Sequence, residues 1–257
     1  MLAPSRKQRP SFEVLCELVY RPLAHLVVLA LLPLRVPPPA VVAASAATGL
    51  MGALEIGRGQ FVVAAVLLQL KTVLDNADGQ LARAADRVTV FGRYLDSESD
   101  LVVNAAIFAG LGWATGRPWL ALAAFLVLTV VLSADFNLER LYRQEHGERA
   151  EAMPTAEGAA VPLARVYGAL YAPQDRAIEA FVERRLRGRP GRLAYHDRAT
   201  LAILANFGLS TQLAVLGVSL AAGRPSLYLY VALACGAALV PLELRRERLA
   251  RAAPPVP

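Results

Sequence analysis

Four aspartates stand at fixed intervals in the stretch LDNADGQLARAADRVTVFGRYLDSESD, Leu74 to Asp100. Asp75 and Asp78 are three residues apart, and Asp96 and Asp100 are four apart. On a helix, either interval places both side chains on one face. Four carboxylates drawn to one place repel one another and titrate as a coupled set unless a cation lies between them. Their oxygens are hard ligands that suit Mg²⁺ or Mn²⁺. A pair of such ions clamps the oxygens around a phosphorus centre during displacement. The spacer residues fit the same chemistry. Gly79 follows Asp78 directly and Ala82 comes three later, which leaves a helix face without bulk where a ligand can approach the backbone. Arg83 comes next, and its guanidinium fork can hold a phosphate through two hydrogen bonds. Gly92 is expected to let the second helix pack tightly on the first.

These residues need two helices that meet water at one end, and the chain supplies them from apolar runs. Spans are predicted from about Pro38 to Ile56, from Phe61 into the Asp75 region, from Gly92 to Trp113, from Trp119 to Ser133, from Ala199 to Leu220, and from Ser226 to Leu242. Each is long enough, or nearly so, for a bilayer core that takes about 20 apolar residues. "HLVVLALLPL" near the N-terminus is too short to span, and Pro22 and Pro33 are expected to break any single helix there, which suggests a juxtamembrane helix at the interface. Residues 134–198 are rich in Arg and Glu, are interrupted by "MPTAEG" and "RGRPGR", and hold one candidate amphipathic helix over 164–186 that could also shield the site. The expected fold class is therefore all-α and integral to the membrane, with six transmembrane helices behind a juxtamembrane helix. Its divisions are an amphipathic segment at 1–36, a catalytic bundle at 37–243 with an insertion at about 135–198, and a basic tail at 244–257.

Bulk properties agree. Of 257 residues, 56% are apolar and only 19% charged, and the mean hydropathy is +0.42, whereas a soluble domain carries nearer a quarter charged residues. The net charge of +6 does not point to nucleic acid, because the arginines flank apolar spans without interleaved aromatics. They are placed to anchor at anionic headgroups. With six spans, the N-terminus, the 80–93 loop, the 135–198 segment and the tail share one face and hold nearly all the arginines, while the opposite turns hold Arg58, Arg117 and Arg224. The positive-inside rule makes the basic face cytoplasmic, and the aspartates lie on it. Arg6, Lys7 and Arg9 before an apolar run, then "AASAA", imitate a secretory signal, but Glu13, Glu17, Arg21 and "RVPPP" interrupt it. Cys16 and Cys235 form no metal-type pair, and His25, His146 and His196 form no cluster.

The pattern D-x-x-D-G-x-x-A-R, eight residues, then G-x-x-x-D-x-x-x-D, resembles the signature of the CDP-alcohol phosphotransferases. Asp75, Asp78, Gly79, Ala82, Arg83, Gly92, Asp96 and Asp100 match it at every fixed position. The resemblance implies a membrane enzyme, generally a homodimer, that moves a phosphate-linked group from a CDP-alcohol to an acceptor alcohol and releases CMP. It implies a two-metal site of Mg²⁺ or Mn²⁺ on Asp75, Asp78 and Asp96, with Asp100 partly liganding and acting as general base on the acceptor hydroxyl. Asp75, Gly79, Ala82 and Arg83 would receive the cytidine and diphosphate. The implied donor is CDP-diacylglycerol and the implied acceptor a small polar alcohol such as glycerol 3-phosphate, or inositol or its phosphate. The alternative is transfer from CDP-choline or CDP-ethanolamine to diacylglycerol. Many relatives carry Pro-Asn-x-x-Thr before the first span, whereas here the chain reads "PPPAVVAAS". A divalent-cation transporter, a different class, would want its carboxylates at the midplane on broken helices and would leave Gly79 and Arg83 without purpose.

Several residues stay open between roles. Lys71, four before Asp75, either neutralises that aspartate or touches substrate phosphate, since intramembrane charge is functional by default. Asn104 continues the Asp96 and Asp100 face and suits an interhelical hydrogen bond. Arg140 and Arg143 either bind a phosphorylated acceptor or form a solvated basic helix end. Asn206, Ser210, Thr211 and Gln212 make the fifth span polar, as packing contacts or as an acceptor cavity.

Overall fold

The structure, a computed structural model, describes residues 10–148, 155–187 and 191–253. Arg6, Lys7, Arg9 and parts of the "MPTAEG" and "RGRPGR" interruptions lie outside the described residues. Among those described, every regular element is helical: α1 (Arg21–Leu31), α2 (Pro38–Gly57), α3 (Phe61–Ala84), α4 (Val90–Thr115), α5 (Pro118–Glu145), α6 (Ala160–Leu170), α7 (Ala172–Leu186), α8 (Arg192–Tyr195), α9 (Arg198–Ala205), α10 (Leu209–Ala221) and α11 (Pro225–Ala252). Among the described residues four stretches are long and apolar enough to cross a bilayer, namely Pro38–Gly57, Pro118–Glu145, Arg192–Ala221 and Pro225–Ala252. That is the architecture of a multi-pass membrane protein. α3 and α4 have the length to cross but carry Lys71, Asp75 and Asp78, and Arg93, Asp96, Glu98 and Asp100, so their composition is not that of a plain lipid-facing span.

α2 is the centre of the site-bearing layer. It packs against both α3 and α4, whereas the backbones of those two stay apart and meet through their polar side chains. The expectation of α3 and α4 as packed neighbours is therefore corrected, and the physical reason lies in α2's small residues. A Cβ on Gly49 would stand 2.5 Å from Val103 of α4 and 3.2 Å from Lys71 of α3, and one on Gly52 would stand 2.9 Å from Leu68. On α4, a Cβ on Gly110 would stand 2.6 Å from the Ala53 carbonyl of α2. Helices can approach this closely only where side chains are absent. Gly92 does not serve that purpose: a Cβ there would meet only its own N-cap, Thr89 Oγ1, at 3.1 Å.

Three apolar clusters form among the described residues; one joins α1, α2 and α3 through Ala24, Val28, Val41, Ala77 and Leu81, and the other two stack along the bundle. The larger joins α2, α3, α4, α5, α10 and α11 through residues such as Ile56, Leu68, Leu111, Leu128, Leu216 and Leu229. The second joins Leu138, Tyr142, Val182, Leu186, Tyr195, Leu204 and Ala250 at the end where the aspartates lie. It explains why α5 runs twelve residues past the expected Ser133 end: Leu138 and Tyr142 continue its buried stripe. Its 28 residues span about 42 Å, well beyond a hydrocarbon core of about 30 Å. α11 likewise runs through Pro241 to Ala252, so the basic tail continues the last helix.

Three other elements differ from expectation. Pro22 does not break the N-terminal helix: a π-turn, Cys16–Tyr20, precedes α1, with the Arg21 amide donating to the Cys16 carbonyl. Widening the helix there relieves the clash that proline makes with the preceding turn. The single helix expected over 164–186 is two, α6 and α7, because Pro173 lacks the amide that would join them. The fifth span is interrupted between α9 and α10, and the N-terminal chain fills the gap. Asn206 Nδ2 donates to the Phe12 carbonyl at 2.9 Å, and its Oδ1 accepts from the Val14 amide at 3.0 Å.

Candidate active site

α3 ends just beyond Arg83 in a closed cap. The Arg87 amide donates to the Ala82 carbonyl at 2.8 Å and the Asp86 amide to the Arg83 carbonyl at 3.2 Å, with Asp86 left-handed at φ 52°. This is the Schellman arrangement, with aspartate where glycine is commoner. Thr89 then caps α4 by accepting from the Gly92 amide at 3.0 Å. The short link between caps places the last turns of α3 and the first turns of α4 at one level.

There Asp75, Asp78 and Asp96 converge from the two helices, with one ligand oxygen of each within 4.8 Å of the others. Asp78 is 7% exposed, and its Oδ2 is buried without a hydrogen-bond partner. A buried carboxylate oxygen left so is costly unless a cation meets it. Three hard oxygen donors, one each from Asp75, Asp78 and Asp96, fit a divalent cation of the Mg²⁺ or Mn²⁺ kind.

Asp100 lies beside that trio, in direct contact with Asp75. Its Oδ1 lies 2.5 Å from Lys71 Nζ, which also lies 2.7 Å from Asp75 Oδ1. Lys71 is 1% exposed. Its stem is packed against Gly49, and its carbonyl accepts from Ser45 Oγ at 3.2 Å. Of the two roles open to Lys71, the geometry favours the internal counter-ion, and it bridges two aspartates rather than one. The Arg83 guanidinium folds over Gly79, whose absent Cβ would lie 3.4 Å from Nη1. Asn104, half-buried a turn beyond Asp100, makes no side-chain hydrogen bond among the described residues.

Arg140 serves a neighbouring interface, while Arg143 pairs along its own helix. Arg140 pairs with Glu179 of α7 and donates to Asn137 Oδ1 at 2.8 Å, and Arg143 pairs with Glu139 at 3.0 Å. Ser133 to Gln174 at 2.8 Å and Asn137 to Asp175 at 2.6 Å complete a polar ladder between α5 and α7. α6 packs on α4 beside the site, with the Tyr94 and Tyr167 rings edge-to-face at 5.6 Å and Tyr167 against Tyr171 at 4.8 Å. Burial first, then the Asp175 charge, pushes the Tyr167 hydroxyl up to about 12. Burial, then Glu98 and Asp100, raises that of Tyr171 further. Both stay protonated donors at neutral pH. In the fifth span, Gln212 Nε2 donates to the Phe207 carbonyl at 3.2 Å and to Cys235 Sγ at 3.4 Å.

Sequence reasoning missed the supports. Ser45 and Gly49 hold Lys71 from behind, and a small residue in an Ala-rich helix carries little signal. Gln69, Asn76 and Gln80 recur along one side of α3 and tie down the N-terminal segment. Tyr20 donates to Gln69 at 2.5 Å, Cys16 to Asn76 at 3.2 Å, and Gln80 to the Arg21 carbonyl at 3.1 Å. That polar stripe was a readable signal.

Fold and site together define a multi-pass helical membrane protein built around carboxylates suited to a divalent cation. Within that class the chain belongs to the CDP-alcohol phosphatidyltransferase family, whose model matches residues 26–172. Two similar proteins carry the name "Bifunctional IPC transferase and DIPP synthase". The one from Thermococcus kodakarensis is 37% identical over 79 residues, 30% of this chain and 18% of that protein. The one from Aquifex aeolicus is 37% identical over 76 residues, 27% and 18% respectively. The match thus spans under a fifth of either relative's length. No solved structure matches the chain.

Proposed function

We propose that this protein transfers a phosphatidyl group from CDP-diacylglycerol to the hydroxyl of a small polar alcohol and releases CMP. The observation that carries the reading is the convergence of Asp75, Asp78 and Asp96, with a buried Asp78 oxygen left unpartnered, one residue from the glycine that Arg83 covers. Family membership and the word transferase in both relatives' names support it.

Asp75, Asp78 and Asp96 would hold Mg²⁺ or Mn²⁺, which offsets charge on the diphosphate and on departing CMP. Arg83 grips the diphosphate, while Gly79 and Ala82 leave room for the cytidine. A neutral alcohol is a poor nucleophile, so Asp100 takes its proton as the oxygen attacks. A bond forms between that oxygen and the lipid-linked phosphorus, and the bond from phosphorus to the CMP oxygen breaks. Tyr171, at the junction of α6 and α7, stays protonated within reach of the Asp100 charge and is placed to orient the acceptor. α3 and α4 complete a six-span bundle whose basic, carboxylate-bearing face is cytoplasmic, so the lipid donor enters sideways and the acceptor from water. Dimerisation rests on the family resemblance.

The test is CMP release by lipid-reconstituted protein given CDP-diacylglycerol, Mg²⁺ and one alcohol per reaction. Release dependent on one alcohol identifies the acceptor. Release from CDP-choline or CDP-ethanolamine with diacylglycerol, and from no CDP-diacylglycerol reaction, would overturn the donor assignment.

A further inference from the structure

Lys71 is hard to reconcile with a pair of resident metal ions. Its Nζ lies 2.5 Å from Asp100 and 2.7 Å from Asp75, in the space between the two carboxylates that link α3 to α4 on this side. A divalent ion bridging the same two oxygens would sit roughly 2.1 Å from each, on ground the ammonium already occupies. The lysine is also poorly placed to withdraw. It is 1% exposed, its Cγ lies in the gap left by Gly49, and the buried Val103 closes the other side of that gap. A fixed positive charge there repels any second cation drawn to Asp100.

We propose that Lys71 is a built-in replacement for the second divalent ion, so that the nucleotide-free protein holds one metal, on Asp75, Asp78 and Asp96, with Asp100 held by the lysine. The inference rests on the metal-binding reading above and goes beyond it in fixing the number of ions and the chemical identity of the second cation. It also separates the two ends of the carboxylate group: Asp78 is a metal ligand, whereas Asp100 is oriented by an ammonium and left to meet the acceptor.

The experiment is a Mn²⁺ titration of the full chain in phosphatidylcholine nanodiscs without nucleotide. Electron paramagnetic resonance counts bound ions and reports whether they couple. The wild type is expected to bind one Mn²⁺ per chain with the spectrum of an isolated ion, Asp78→Asn to lose it, and Lys71→Met to bind two that couple. Two ions or a coupled spectrum in the wild type would overturn the inference and leave the metal reading standing, as would a single ion in Lys71→Met. One ion retained in Asp78→Asn would place the metal elsewhere and overturn it too. No bound ion in the wild type would remove the metal reading and the inference with it. Should Lys71→Met fail to fold, the wild-type count and spectrum decide alone.

Discussion

Gly110→Ala tests whether α2 sets the geometry of the site from a distance. The added Cβ would lie 2.6 Å from the Ala53 carbonyl oxygen, against an ordinary contact of 3.4 Å or more, and the obstacle is backbone rather than a side chain that can turn aside. α4 must therefore retreat from α2 by about 0.8 Å. Gly168→Ala on α6 is the control, because nothing lies within 4 Å of its new Cβ. Both changes gain roughly 1 kcal/mol of helix propensity, and only Gly110→Ala adds an overpacking penalty of about 1–3 kcal/mol. The difference in stability between the two variants should fall in that range, read by thermal unfolding in the same lipid. Asp100 lies ten residues along α4 from Gly110, about 15 Å away, so a shift of α4 as a rod carries Asp96 and Asp100 with it. Misplacement of reacting groups by about 1 Å can lower turnover about 100-fold. Gly110→Ala should lose CMP release by roughly ten- to a hundredfold, again on the scale set by positioning, while Gly168→Ala keeps it. Equal stability and equal activity in the two variants would refute the close α2–α4 approach and the role given to it.

Asp78→Asn and Asp100→Asn should part company. The first is expected to lose both Mn²⁺ binding and CMP release, whereas the second keeps its bound ion and loses turnover by about 10²- to 10⁴-fold, the usual worth of a general base. Arg83→Lys keeps the charge but not the fork, so KM for CDP-diacylglycerol should rise roughly tenfold, with kcat changed much less. Steady-state kinetics at saturating acceptor separate the two constants.

The carboxylate cluster was more legible in the sequence than the scaffold. Metal ligation on helices demands particular residue types at i, i+3 or i, i+4, and Asp75, Asp78 and Asp96 meet where that spacing places them. Apolar runs located most helices for an equally direct reason. The partnership of α2 with both site helices was not readable, because Gly49, Gly52 and Gly110 announce close approach without saying to what. Lys71 showed itself as an intramembrane charge, but its second partner, Asp100, is 29 residues away and no periodicity links them. The interruption at Asn206 is filled by chain 192 residues earlier, a pairing no local rule reaches. Where α5 outran its expected end, the mistake was to let a change in polarity stand for the end of a helix. Ser133 begins a polar face that is itself buried against α7, and Leu138 and Tyr142 bury the other side.

The most direct test of the central claim is to follow CDP-diacylglycerol by mass spectrometry in a reconstituted reaction with the active alcohol, before and after a chelator strips divalent ions and Mg²⁺ is restored. The account predicts CMP and a new phosphatidyl lipid in equal amounts. It predicts that both vanish with the chelator and return with Mg²⁺, and that both are absent throughout in Asp78→Asn. Product formed at an undiminished rate in the chelator, or by Asp78→Asn, would contradict it.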